Sequence, residues 1–92
     1  MSANIGDVWR RDSKLPFQKL EEDTIVVDPA RREVHLLNPT GSRLWELLAA
    51  ARSVDELAAA LSQEYDAPLG ELREATEALV RELASKGVLV PA

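Results

Sequence analysis

The sequence contains no cysteine, which excludes a disulfide frame, an iron–sulfur cluster and a thiolate zinc site together. Histidine occurs once, as His35, so a zinc site would need one imidazole supplemented by carboxylates, outside the usual ligand sets. No serine stands beside that histidine, and the four glycines form no phosphate-cradling loop. Aromatic residues are sparse, only Trp9, Phe17, Trp45 and Tyr65, so the core must be built mainly from Leu, Val and Ala. Long apolar runs are missing as well. The opening MSANIGDVWRRDSK lacks the apolar stretch of a signal peptide, and no segment approaches a membrane span. A soluble, cytoplasmic protein is the expectation. Basic charge is also in short supply, the formal net charge being −5. Phosphate backbones and anionic membranes reward clustered Lys and Arg, so neither nucleic acid nor membrane is an expected partner.

What is present is an ordinary globular composition, 46% hydrophobic and 29% charged, over 92 residues. A chain of that length makes one domain and hides roughly two-thirds of its surface on folding. That suffices for one modest core, not for a deep catalytic cleft as well. Residues 1–14 are polar and of mixed charge, which predicts a loose N-terminal arm ahead of a domain over 15–92. Leu15 to Leu20 (LPFQKL) alternates as an edge strand would, with Pro16 forbidding a full ladder. Thr24–Val27 is a β-branched run and Glu33–Leu37 (EVHLL) reads as its returning strand. Asp28 and Pro29 between them suit the first two positions of a type I turn, since the proline ring presets φ. The two strands should pair antiparallel as a hairpin.

Three helices follow. Asn38 can cap the first and Pro39 fits its first position, where the missing N–H costs nothing. This helix should bury Leu44, Trp45, Leu47 and Leu48 and fade near Ala51. Ser53 with Glu56 three residues on is a capping box, opening a second helix to about Tyr65. Val54, Leu57, Leu61 and Tyr65 lie near one face of it. After a break at Asp66–Ala67–Pro68, a third helix spans Leu69 to Lys86 with the stripe Leu72, Thr76, Leu79, Val80 and Leu83. Gly87 supplies a left-handed end, with Val88 placed against Leu83, before a final apolar stretch Val88–Val90. The element order predicts an α+β fold, a small antiparallel sheet of two to three strands packed against three helices.

Little here can carry catalysis. The carboxylate groups Glu21–Glu22–Asp23, Glu71–Glu74 and Glu74–Glu77 fall on exposed loop and helix positions, where acids are solvated faces. A lone strand histidine is, in the same way, more often packing or edge decoration than a site residue. Neither a metal nor an organic cofactor is expected, and the chain is read as a non-enzyme.

The ordered set of motifs is nevertheless specific. A hairpin strand runs into LNPTGSRLWELL (Leu37 to Leu48), then SVDELAAAL (Ser53 to Leu61), then an aromatic-Asp-x-Pro break from Tyr65 to Pro68. A long helix closes with LASKGVL (Leu83 to Leu89). From Asp23 to Leu89, about two-thirds of the chain, this resembles the PqqD family, named after the protein that escorts the precursor peptide in pyrroloquinoline quinone biosynthesis. The resemblance implies a winged-helix-like fold that binds the leader segment of a ribosomally made precursor peptide. The bound leader would be presented to a modifying enzyme such as a radical SAM enzyme, a cyclase or a peptidase. It implies, too, that the peptide adds itself as a strand to the hairpin's second strand and lies against the third helix. Carried onto this sequence, the site is Glu33, Val34, His35 and Leu36, facing Leu72, Ala75, Thr76 and Leu79. Val34–His35–Leu36 lacks the aromatics frequent in the standalone domains that serve lasso-peptide maturation, so that pathway is not assigned. Leu15–Pro16–Phe17 resembles the wider set of PqqD-like proteins.

Physical reasoning leads to the same edge independently. A sheet of so few strands leaves unpaired N–H and C=O groups, and no proline or lysine between Glu33 and Leu37 blocks a further strand. Two rival readings use the same fold. A DNA-binding winged helix would need a basic recognition helix. The third helix instead carries Arg73, Arg81 and Lys86 against Glu71, Glu74, Glu77 and Glu82, and the second has acids only. A homodimer would pair the free edge with its own copy.

Overall fold

The computed structural model describes residues 8–92. Its elements are β1 (Val8–Arg11), β2 (Phe17–Leu20), β3 (Asp23–Asp28), β4 (Glu33–Leu37), α1 (Pro39–Leu47), β5 (Arg52–Ser53), α2 (Val54–Ser62), α3 (Leu69–Ser85) and β6 (Leu89–Pro91). The expected hairpin is present: β3 and β4 pair antiparallel with Val26 opposite His35, and β2 adds on the other side of β3. Asp28 pairs with Glu33, so Pro29–Arg32 forms the connecting loop, and Arg32 takes a left-handed φ of 56°. That residue makes the loop longer than a simple type I turn.

A second antiparallel sheet, ordered β5–β1–β6, corrects the expectation of a single one. Its middle strand, Val8–Arg11, falls within the supposed loose arm; residues 1–7 of that arm lie outside the described residues. The paired arginines of VWRR concealed a strand, in which Trp9 and Arg11 turn inward while Val8 and Arg10 stay exposed. Backbone bonds from Arg11 to the Leu48 carbonyl and from Asp12 to the Val88 carbonyl fasten the strand between α1 and the C-terminus.

The helices start as the sequence dictates. Asn38 accepts from the Gly41 N–H with Pro39 at the first helical position, and Ser53 and Glu56 form both bonds of the capping box. Gly87, at φ 80°, ends α3: its N–H bonds the Ala84 carbonyl and the Val88 N–H bonds that of Leu83, the paired bonds of a Schellman motif. Helix α2 stops at Ser62 rather than Tyr65, though Tyr65 still donates to the Leu61 carbonyl and packs on the core.

Between the sheets and helices lies one core of Val26, Leu37, Leu44, Trp45, Leu48, Leu57, Leu61, Val80, Leu83 and Val88 with their neighbours. Trp45 is at its centre, 1% exposed, with Phe17 edge-on at 5.7 Å and the Arg11 guanidinium 5.5 Å from its ring. Leu47, expected inside, is only half-buried.

Candidate functional site

Strand β4 lies at the edge of its sheet, so among the described residues its outer backbone groups have no strand partner. Other edges are less inviting. β2 follows Pro16 and carries Lys19, which pairs with Glu46. β5 is two residues long and β6 contains Pro91. Alternation along β4 turns Leu37 into the core and leaves Val34 and Leu36 each 65% exposed on the opposite face. Glu33 is exposed. His35, on the Leu37 side, keeps only 11% of its side chain accessible, and its Nε2 is buried without a hydrogen-bond partner. The Glu33 carboxylate stands 3.5 Å from that nitrogen.

Beside β4 is a shallow cleft of about 100 Å³, lined by Leu36 and Leu37, by Gly41 at the start of α1, and by Leu79, Leu83 and Lys86 of α3. Of the expected helix residues, Leu79 lies here, half-buried. Ala75, exposed, sits one turn before it on the same stripe. Leu72 and Thr76 do not reach this surface: both are buried on the stripe shared with Val80 and Leu83. A 3.6-residue period places positions 72, 76, 80 and 83 in one direction and 75, 79, 82 and 86 on its flank. The cleft is also lined by Leu83, Glu82 and Lys86, to which the sequence pattern assigned no site role. The last two form an ion pair at 3.2 Å on the cleft's margin.

Roomier depressions occur elsewhere, one of about 210 Å³ on α3 at Glu74, Glu77, Ala78 and Arg81. Another, of about 380 Å³, lies between β2, α1 and the end of α2, lined by Lys19, Ser42, Arg43, Glu46, Glu64 and Tyr65. It is crossed by ion pairs: Arg43 to Glu64 and Glu46, and Lys19 to Glu46. Hydrogen bonds from Lys19 and Arg43 hold the Glu46 carboxyl below its ordinary pKa, and Arg43 does the same for Glu64. Their carboxylates in turn raise Arg43. These charges satisfy one another. A further depression, about 450 Å³, is framed by Asp12, Lys14, Leu15, Asp28, Pro29 and Arg31. The depression at Lys19 borders β2, the other edge of that sheet, and is crossed by these ion pairs; the one at Arg31 lies by the β3–β4 loop. The small β4–α3 cleft joins the outer backbone of an edge strand to Leu79 and Leu83, and that combination, rather than volume, suits an extended chain. Among the described residues no three His, Cys, Asp or Glu side chains gather to hold a metal, and no helix is long and apolar enough to cross a membrane.

Two solved structures share this fold. TbiB1 in complex with the TbiA(beta) leader peptide is 20% identical, with a TM-score of 0.79 over 87% of this chain and 93% of that one. A lasso peptide synthetase B1 complexed with the leader peptide is 22% identical, with a TM-score of 0.78 over 90% and 98%. No curated protein matches the chain. The family described as coenzyme PQQ synthesis protein D (PqqD) matches residues 23–89, a span from the first residue of β3 to the start of β6 that includes β4, all three helices and the cleft between β4 and α3. Over most of its length, then, the chain belongs to the PqqD family.

Proposed function

We propose that this protein binds the leader segment of a ribosomally synthesised precursor peptide as an added strand on β4 and presents it to a modifying enzyme. The observation that carries the reading is the unpaired outer edge of β4 beside a cleft floored by Leu79 and Leu83. Membership of the PqqD family supports it, as do two leader-peptide complexes with the same fold. The chain's role is accessory: its residues hold and orient a peptide, and the bond-making belongs to the partner, of a class such as a radical SAM enzyme, a cyclase or a peptidase.

Magnitudes say what the peptide must bring. About four backbone hydrogen bonds contribute on the order of 4 kcal/mol net. Ordering five peptide residues costs at least about as much. Affinity therefore depends on two or three apolar side chains buried at roughly 2 kcal/mol each. Alternate residues of an added strand would point into the cleft over Leu79 and Leu83, and the others would lie beside Val34 and Leu36. Leader sequence, not mere extended shape, should decide binding. Calorimetry against the precursor peptide encoded beside this gene tests the reading: micromolar or tighter binding is expected. A folded sample that binds no neighbouring candidate overturns it.

A further inference from the structure

Arg31 lies in the loop between β3 and β4 and reaches across to the end of α3. Its Nη1 donates to the Lys86 carbonyl at 3.2 Å, joining positions 55 apart in sequence. Asp28 steadies it at the base, where the carboxylate accepts the Arg31 N–H at 3.3 Å and lies 3.8 Å from Nε. The Asp28 side chain is only 7% exposed, so it offers the arginine a fixed anchor. At the far side, the guanidinium occupies the space over Gly87. A Cβ built there would stand 2.6 Å from Nη1 and 2.7 Å from Cζ. Gly87 is favoured by its φ of 80°, and the arginine's flexible end lies over it. The Lys86 carbonyl belongs to the last turn of α3, where helix carbonyls lack partners and a cation is favoured.

Lys86 also lines the β4–α3 cleft, with Leu37 and Gly41 as cleft residues at the other end of β4. The Arg31 bridge thus ties the loop that leads into β4 to the end of α3, whose Lys86 lines the cleft, while Arg31 itself borders the neighbouring depression. We infer that Arg31 is a positioning residue that fixes the width of the cleft, and with it the affinity for an added strand, without touching the peptide. This rests on the proposed leader-binding site.

The test compares wild type with Arg31→Ala, Arg31→Lys and Gly87→Ala in calorimetry with the neighbouring precursor peptide, well below each variant's melting temperature. Amide hydrogen exchange on the unbound proteins runs in parallel. Arg31→Ala should weaken binding about tenfold, which is about 1.4 kcal/mol. It should also speed exchange in β4 and in Lys86–Val88 while leaving α2 unchanged. Arg31→Lys should recover part of the affinity, since an ammonium can still meet the Lys86 carbonyl. Gly87→Ala should resemble Arg31→Ala. A lowered melting temperature with unaltered affinity would make the bridge structural only and overturn the inference. So would a loss in Arg31→Ala that vanishes at high salt, the mark of a direct charge contact with the peptide. If wild type binds no peptide, the leader-binding reading fails, and exchange still decides whether Arg31 holds β4 against α3.

Discussion

Replacing Trp45 by Ala and by Phe separates two contributions that the structure places on one side chain. The ring is 1% exposed at the centre of the core, so Trp45→Ala removes a large buried surface and leaves a cavity, together about 3–5 kcal/mol. A domain of this size has only about 5–14 kcal/mol in all, so the variant should be unfolded or nearly so at 37 °C. The indole Nε1, however, is buried without a hydrogen-bond partner. An orphaned donor costs about 1–3 kcal/mol, which Phe would no longer incur. Against that gain, Phe loses part of the ring, about 1–2 kcal/mol in transfer and cavity energy. The edge-on contact with Phe17 and the nearby Arg11 guanidinium can both survive the change. Trp45→Phe should therefore lie within about 1 kcal/mol of wild type. Urea unfolding followed by circular dichroism reads both variants. A Trp45→Phe loss of about 3 kcal/mol or more would mean that the indole N–H has a partner; a near-neutral Trp45→Ala would refute the packing itself.

Other expectations are more local. Leu79→Arg should weaken leader-peptide binding tenfold or more in calorimetry, whereas Leu72→Ala, in the buried stripe, should cost about 2–4 kcal/mol of stability without altering affinity. Ser53→Ala removes the cap bond to the Glu56 N–H and should cost about 1 kcal/mol in urea unfolding. Glu46 and Glu64 have carboxyls lowered in the fold, so the stability they add is present above the ordinary carboxylate pKa of about 4.3 and is lost as pH falls through their lower folded values. Both are largely solvent-facing, so the effect is small; Arg43→Met should flatten the acid limb of a melting temperature–pH profile.

Local signals were legible wherever a rule acts within a few residues. The Asn38–Pro39 start, the Ser53–Glu56 capping box and the Gly87 stop each stand where their chemistry requires. The β3–β4 pairing followed from two β-branched or apolar runs flanking a turn. What escaped was non-local. Val8–Arg11 has no strand signature of its own and becomes a strand because the chain's other end and the residues before α2 supply partners. On α3 the period was right, but a period cannot say which flank of an apolar stripe meets the core. Leu72 and Thr76 are buried, while Ala75 is exposed and Leu79 half-buried on the flank. The Arg31–Lys86 bridge likewise joins residues that no spacing rule connects.

The central claim is that a peptide adds to β4 and lies over α3. Titrating ¹⁵N-labelled protein with the neighbouring precursor peptide, and recording amide shifts and exchange residue by residue, tests it most directly. The account predicts shifts concentrated in Glu33–Leu37 and along Ala75–Lys86, with outward β4 amides newly protected from exchange. Shifts centred on Lys19, Glu46 and Glu64, or on the β2 edge at Phe17–Leu20, with β4 unprotected, would contradict it.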